Sequence, residues 1–119
     1  MYMIEYYKTE AGIVPIRDWL DELDRKALRN KSIRIQRNKI IAYIDALKEN
    51  GTWIGQPVTK HLNAEIWELR PESDRILYFF AKNNTFVLLH HFVKKTNATP
   101  TREIEQAKRN MYRYLERNK

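Results

Sequence analysis

Residues 66–93 read IWELRPESDRILYFFAKNNTFVLLHHFV. The segments 64–70, 75–81 and 85–93 are rich in the β-branched and aromatic residues that favour strands. Two short polar connections, PESD at 71–74 and KNN at 82–84, are typical of turns. Successive strands joined by short turns pair side by side in opposite directions. This stretch therefore predicts a three-stranded antiparallel meander.

The residues before the meander predict one strand and two helices. Residues 2–8 are apolar and aromatic enough for a short strand, which Gly12 ends. A helix starting at Pro15 has one apolar face at i, i+3, i+4, i+7 spacing, made by Ile16, Trp19, Leu20 and Leu23. A second helix ends at Gly51 and has an apolar face made by Ile33, Ile40, Ile41, Ile44 and Leu47. Residues 58–62 predict a short strand or an extended arm.

One more helix is expected after the meander. Thr99 has the side chain of an N-cap, and Pro100 suits the first helical position. The apolar face of this helix is made by Ile104, Ala107, Met111 and Leu115. The resulting order is β, α, α, β, β, β, α, without a long linker or repeat. It predicts a single α+β domain over residues 1–119.

The composition excludes several classes of protein. The 119 residues contain no cysteine, so the chain has neither a disulfide framework nor a thiolate zinc site. The first residues, MYMIEYYKTE, lack the apolar region of a secretory signal, and no apolar run is long enough to cross a membrane. We expect a soluble, cytoplasmic protein with no membrane contact.

The charge of the chain is strongly basic. There are 22 Lys and Arg residues against 15 Asp and Glu, giving a net charge of +7. Residues 25–39, which we call the basic block, carry Arg25, Lys26, Arg29, Lys31, Arg34, Arg37 and Lys39 and no acid. Such an excess favours a polyanionic partner such as a nucleic acid, with Arg34 and Arg37 as candidate binding residues. The plainer alternative is a solvated helix face.

Strand order brings basic side chains together. Arg70 ends one strand of the meander and Arg75 begins the next, so both lie at the same rim of the sheet. The third strand runs back to that rim with the sequence HHFVKK, so His90 or His91 should join the arginines there, together with Lys94 and Lys95. Lys60 and His61 could approach from the side.

This set of residues suits a phosphodiester. Arginine binds phosphate oxygens in pairs, and Arg and Lys stabilise a transition state that gains negative charge. Histidine can accept or donate a proton near neutral pH. Each arginine could instead belong to an ordinary surface ion pair with Glu68, Glu72 or Asp74. His90 and His91 point to opposite faces, which argues against a two-histidine metal site, so we expect neither a metal nor a cofactor.

The sequence also resembles the HigB-like, phage-related branch of the RelE/ParE toxin superfamily. The matching positions are Lys60, Leu62, Ile66 to Arg70, Arg75, Ile76, Tyr78, Phe79, Leu88 to His90, Phe92, Lys94 to Thr96, Thr99, Pro100, Glu103 and Ile104. The spacing Gly12-x-x-Pro15 and the two N-terminal helices fit as well, so the resemblance covers nearly the whole chain.

The resemblance implies a RelE-like fold, in which an N-terminal helical hairpin packs on a small, twisted, mainly antiparallel sheet, followed by a C-terminal helix. It implies the toxin of a type II toxin–antitoxin pair, an endoribonuclease that cuts mRNA on the ribosome. The implied partners are a helix-turn-helix, HigA-like antitoxin, the ribosome and mRNA.

Carried over residue by residue, the resemblance places Arg70, Arg75 and Lys95 in the active site, with Lys60 and Lys94 as weaker matches. Some branches of the family carry lysines where this chain has Ile66 and Glu68. The proton acceptor therefore cannot be a lysine at either of those positions, and the candidates are Glu68, His91 and Lys60. We expect attack by the RNA 2′-hydroxyl without a metal.

Two other functions remain open from the sequence. A ParE-like protein would bind and inhibit DNA gyrase without cutting RNA, although the Arg, His and Lys cluster favours the nuclease. A nucleic-acid-binding regulator could retain the fold without any activity.

Overall fold

The computed structural model describes all 119 residues, Met1–Lys119. The strands are β1 (Met3–Tyr6), β2 (Thr59–Asn63), β3 (Ile66–Leu69), β4 (Asp74–Ala81) and β5 (Thr85–Val93). The helices are α1 (Pro15–Ala27), α2 (Lys31–Asn50) and α3 (Thr101–Arg117), and a 3₁₀ turn spans Gly51–Ile54. The predicted α+β class is confirmed, and residues 59–63 form a strand rather than a loose arm.

The five strands form one sheet in the order β1-β5-β4-β3-β2. The meander of β3, β4 and β5 is antiparallel, as predicted, and β2 adds antiparallel to β3. β1 pairs with β5 in parallel, with Met3 opposite Thr85. Asn83 and Asn84 have φ values of 60° and 59°, so the β4–β5 hairpin uses a turn in which both central residues are left-handed.

Each face of the sheet carries its own apolar core. On one face, Leu69, Ile76, Tyr78 and Leu88 pack against the α1–α2 hairpin. On the other face, the sheet packs against α3 through a cluster that includes Ile66, Leu77, Phe79, Val87, Ala107 and Met111. Alternate residues of each strand feed the two cores, as the pleat requires. The sheet is therefore the middle layer of three.

A β-bulge interrupts the pairing of β4 with β5. Leu77 lies opposite His90 and Tyr78 opposite Leu88, so Leu89 is an extra residue. Leu89 belongs to the core beneath α3, and its carbonyl accepts a hydrogen bond of 2.8 Å from the buried Asn110 Nδ2 of that helix. The side chains of β5 alternate between the two faces of the sheet, and the bulge shifts this alternation by one residue. Each residue after the bulge therefore lies on the face opposite to the one it would have in an unbroken strand.

Two details of α3 differ from the sequence-based expectation. Thr99 is not its N-cap, because the helix begins at Thr101 and no side chain caps it. The Thr99 hydroxyl binds Glu68 instead. Leu115 is 45% exposed, whereas Tyr114 packs against the core. The apolar face continues three residues beyond Met111 rather than four.

None of the helices combines the length and the apolar character that crossing a membrane requires.

Candidate anion-binding site

Four basic residues meet at one rim of the sheet. Arg70 follows β3, Arg75 lies at the start of β4, and Lys94 and Lys95 follow β5; together with Glu68 they line one cleft, which we call the arginine cleft. The backbone N–H of Lys94 donates to the Ser73 carbonyl at 2.7 Å, which joins the segment after β5 to the β3–β4 turn. The predicted convergence of these four residues is confirmed.

A buried carboxylate lies at the floor of the arginine cleft. Glu68 is 2% exposed. Its Oε1 lies 3.5 Å from Arg70 Nε and 3.9 Å from Arg75 Nε, and its Oε2 accepts a hydrogen bond of 2.5 Å from the Thr99 hydroxyl. A buried charge is tolerated when it is paired and hydrogen-bonded, and Glu68 has both kinds of partner.

Arg70 is the less constrained of the two arginines. Its side chain is 23% exposed and makes no hydrogen bond within the protein. Its Nε is buried without an acceptor, since the 3.5 Å contact with Glu68 has the length of an ion pair but not the geometry of a hydrogen bond. Buried donors are nearly always satisfied, so an exception needs an explanation. The Nε is held toward Glu68, and the rest of the partly exposed guanidinium, which makes no hydrogen bond within the protein, is free to bind an anionic oxygen.

Arg75 is held in place by the protein. It is 6% exposed, and its Nη1 donates to the carbonyls of Glu72 and Asp74 at 2.6 and 2.8 Å. Burial lowers the pKa of the Arg75 guanidinium, and the neighbouring Glu68 carboxylate works against that shift. Arginine nevertheless stays protonated in proteins, so Arg75 contributes a fixed positive charge.

The arginine cleft is narrow but opens onto wider space. Only about 10 Å³ of it is open to solvent, which is room for about one water molecule. A second space of about 230 Å³, which we call the α2 groove, shares Arg70 and Arg75 with the cleft. Its other lining residues are Lys39, Tyr43, Pro57 and Glu72. A third space of about 720 Å³ lies on the other side and is lined by residues that include Lys95, Thr99 and Arg102.

Sequence reasoning missed three residues of this region. Lys39 and Tyr43 lie at i and i+4 on α2, and that spacing could have indicated a shared face. Lys39 belongs to the basic block, yet its Nζ lies 3.0 Å from Glu72 Oε1, beside the two arginines. Thr99 was assigned to the helix cap, and no local pattern reveals its bond to Glu68.

Both histidines of β5 lie outside the arginine cleft, which corrects our expectation. His91 stacks on Trp19 with ring centroids 3.4 Å apart, and its Nε2 lies 3.0 Å from Asp74 Oδ1. His90 faces α3, where its Nε2 lies 2.7 Å from Glu103 Oε1. The bulge at Leu89 is the cause, because it turns His91 toward the α1–α2 hairpin.

The two candidate residues of β2 are divided between the faces of the sheet. Lys60 lies opposite Glu68, so it shares the face of the arginine cleft, but it does not line the cleft. His61 lies opposite Trp67 and packs on that ring at 4.9 Å, with its Nε2 2.6 Å from the Ala64 carbonyl. His61 therefore belongs to the opposite face, and its predicted place beside the arginines is wrong.

Arg34 and Arg37 bind within the α1–α2 hairpin. Arg34 Nη1 donates to the Ala27 carbonyl at 2.8 Å, and Arg37 Nε donates to Asp24 Oδ1 at 2.6 Å. Arg25 and Lys26 both pair with Glu22. Much of the positive charge of the basic block is therefore matched by acids just before it in the sequence. No three His, Asp or Glu side chains form a group that could hold a metal ion.

Comparison with known protein families identifies one match. Residues 18–112 match the model of the family described as Phage derived protein Gp49-like (DUF891), and this range includes the whole arginine cleft. The chain belongs to the Gp49-like family. Gp49-like proteins are RelE-like and toxin-like, which confirms the coarse resemblance found in the sequence. No curated protein matches the chain.

Proposed function

We propose that the chain is the HigB-like toxin of a type II toxin–antitoxin pair, and that it is an endoribonuclease that cuts mRNA on the ribosome. Membership of a toxin-like family supports the first part. The second part rests mainly on one observation: Arg70 presents a guanidinium without a hydrogen-bond partner beside a second, fixed arginine. Two converging guanidinium groups suit the oxygens of a phosphodiester.

The proposed reaction is in-line attack by the RNA 2′-hydroxyl on the adjacent phosphorus. The bond from phosphorus to the 5′-oxygen of the next nucleotide breaks, leaving a 2′,3′-cyclic phosphate, and the departing 5′-oxygen takes a proton from water to become a 5′-hydroxyl. Arg70, Arg75 and Lys95 stabilise the charge that develops on the phosphorus oxygens. Holding the reacting atoms in line can supply roughly 7–11 kcal/mol of the barrier, which gives the ribosome its role of orienting the message.

None of the three expected proton acceptors is well placed for that role. Lys60 does not line the arginine cleft. His91 lies on the other face of the sheet, against Trp19. Glu68 is buried, and its Oε2 already holds the Thr99 hydroxyl. In this reaction the protein therefore accelerates RNA cleavage by positioning the RNA and by stabilising the negative charge that develops on the phosphorus oxygens. We expect the logarithm of the cleavage rate to rise with pH without a plateau from a carboxylate or histidine, because hydroxide then takes the proton.

The test is cleavage of a defined mRNA on purified ribosomes. The wild-type chain should cut, and Arg70→Ala should cut about 10²- to 10³-fold more slowly. Arg113→Ala removes the same charge from an exposed position on α3 and should cut normally. Replacing the 2′-hydroxyl at the cut position by hydrogen should stop the reaction. Cleavage of that deoxy message at the same bond would exclude the mechanism.

The other functions give different results in the same experiment. Intact mRNA together with inhibited gyrase supercoiling would indicate a ParE-like protein. Neither effect, with no growth arrest on expression, would indicate a binding regulator.

The proposed partners are a helix-turn-helix, HigA-like antitoxin and the mRNA-loaded ribosome, in the cytoplasm. Co-expression of the antitoxin encoded beside the toxin should remove the growth arrest. An arrest that persists with the antitoxin bound would count against this pairing.

A further inference from the structure

Thr99 is the only hydroxyl that donates to the carboxylate beneath the arginines. Its Oγ1 lies 2.5 Å from Glu68 Oε2 and joins the segment before α3 to strand β3, 31 positions earlier in the chain. Thr99 is only partly buried, whereas Glu68 is almost wholly buried. This bond occupies one of the two carboxylate oxygens and fixes the rotation of the carboxylate.

The fixed rotation decides which oxygen faces the arginines. Oε1 is the oxygen near both Nε atoms, at 3.5 Å from Arg70 and 3.9 Å from Arg75. The Arg75 side chain has two carbonyl partners of its own, but the Arg70 side chain makes no hydrogen bond within the protein. The orientation of Arg70 therefore depends on the charge of Glu68 Oε1, and the position of that oxygen depends on Thr99.

The bond can persist while a ligand occupies the arginines. The arginine cleft itself has room for about one water molecule, so it is too small for a phosphate group. The α2 groove reaches the same two guanidinium groups and does not include Thr99 among its lining residues. A phosphate entering along the α2 groove would meet Arg70 and Arg75 while Thr99 and Glu68 remain joined behind them.

We infer that Thr99 is a positioning residue, which acts through Glu68 to orient Arg70 toward a phosphate in the α2 groove. Its effect on RNA cleavage rests on the proposed function, whereas its effect on the arginines does not. Thr99 touches no reacting atom. Loss of its hydroxyl frees the Glu68 carboxylate to rotate, and Arg70 loses its fixed direction.

The experiment compares Thr99→Val, which keeps the shape but removes the hydroxyl, with Thr99→Ser, which keeps the hydroxyl. Thr101→Val is the matched control, because Thr101 is exposed two residues further on and its hydroxyl makes no hydrogen bond within the protein. If Thr99→Val does not fold, Thr99→Ala serves the same comparison, since it leaves space for water at Glu68.

The first measurement is the ¹⁵N–¹H spectrum of the arginine Nε–Hε groups, with the Arg70 and Arg75 signals assigned from Arg→Lys variants. We expect Thr99→Val to shift or broaden the Arg70 signal, and Thr99→Ser and Thr101→Val to leave it in place. An unchanged Arg70 signal in Thr99→Val would overturn the inference, whether or not the chain cuts RNA.

The second measurement is cleavage of ribosome-bound mRNA. Thr99→Val should lower kcat by about 10- to 100-fold with little change in KM, because misplacing a group that stabilises the transition state costs rate rather than binding. Thr99→Ser should restore kcat. A shifted Arg70 signal with an unchanged kcat would show that the orientation of Arg70 by Thr99 does not affect cleavage. Absence of cleavage by the wild-type chain would reject the proposed function. In that case the arginine signals would still show whether Thr99 orients Arg70.

Discussion

The two arginines differ in how the fold holds them. Arg75 Nη1 is bonded to two backbone carbonyls and the residue is buried, whereas Arg70 is partly exposed and bonded to none. The two positions should therefore respond differently to the same substitution, even though both charges serve the same proposed site.

Arg70→Ala should change the free energy of unfolding by no more than about 1 kcal/mol, since it removes no hydrogen bond. Arg75→Ala should lower it by about 3–5 kcal/mol, because the carbonyls of Glu72 and Asp74 lose their charged donor, whereas Glu68 keeps Arg70 and Thr99. Urea unfolding followed by tryptophan fluorescence measures both. Equal decreases in the free energy of unfolding for the two variants would contradict this expectation.

Tyr78 gives a pH dependence that can be measured. The residue is fully buried, its hydroxyl lies 2.6 Å from Thr59 Oγ1, and burial raises the pKa of Tyr78 to about 12. The folded state therefore keeps a proton that the unfolded chain loses above pH 10. The contribution of Tyr78 to stability should be complete below pH 10 and should decline by about 2–3 kcal/mol between pH 10 and pH 12.

Tyr78→Phe is the matched variant for this measurement. Thr59 keeps a second partner, because its Oγ1 donates to the Glu68 carbonyl at 2.9 Å. Urea unfolding at intervals from pH 9 to pH 12 should show a shallower decline for Tyr78→Phe than for the wild type. Parallel curves would show that Tyr78 does not titrate differently in the two states.

The positions of single residues were predictable where strand order alone decides them. Arg70 and Arg75 flank one turn, and the end of an antiparallel β5 must return to Arg75, so the sequence predicts their meeting with Lys94 and Lys95. The place of His91 was not predictable, since it depends on a bulge that no residue type in LLHHF announces.

At the scale of the secondary-structure elements, the bulge in β5 depends on α3. Asn110 is 7% exposed, and its Nδ2 donates to the carbonyl of the unpaired Leu89. A bulge leaves backbone groups without their ladder partners, and here a helix side chain supplies one of them. The hydrogen bond between α3 and β5 therefore stabilises the bulge, and the bulge sets the face of the sheet on which His91 lies.

Asn110→Ala should lower the free energy of unfolding by about 1–3 kcal/mol, because the buried carbonyl of Leu89 loses its donor. Arg109→Ala, at an exposed neighbouring position, should cost less than about 1 kcal/mol. Thermal or urea unfolding compares the two. A stable Asn110→Ala variant would mean that water replaces the amide at Leu89.

Periodicity identified the helices correctly because each has one apolar face, whereas the central strands, which are buried on both faces, were identified by their β-branched and aromatic residues. The stripe of α1 and the final glycine of α2 match the structure, since Ile16, Leu20 and Leu23 are buried and Gly51 has a φ of 63°. The helix α3 begins one residue later than expected, at Thr101 rather than Pro100, and the hydroxyl of Thr99 binds a carboxylate on a distant strand instead of capping the helix.

At the scale of the whole molecule, the net charge is +7, but some of the basic side chains form ion pairs within the protein and others are free to bind a partner. Arg25 and Lys26 share the Glu22 carboxylate and Arg37 pairs with Asp24, whereas Arg29 and Lys31 are exposed without an acidic partner. Any electrostatic attraction of this face to RNA should therefore come mainly from the unpaired residues.

We expect Arg29→Gln with Lys31→Gln to weaken ribosome binding and to reduce the salt dependence of log K by roughly 1–2. Arg25→Gln with Lys26→Gln removes the same formal charge from the paired positions and should have a smaller effect. Ribosome pelleting over a range of salt concentrations measures both. If the two double variants show the same dependence of log K on salt concentration, the basic block is an ordinary solvated helix face.

The parallel pairing of β1 with β5 also sets the order in which the chain can fold during synthesis. Met3 pairs with Thr85, which is synthesised about 80 residues later, so β1 cannot join the sheet before then. Closing so long a loop also delays the completion of the sheet. Lys94, Lys95 and Thr99 leave the ribosome later still. The arginine cleft is therefore completed only after most of the chain has been synthesised, and a shorter nascent chain has Arg70 and Arg75 but not yet the two lysines that line the cleft with them.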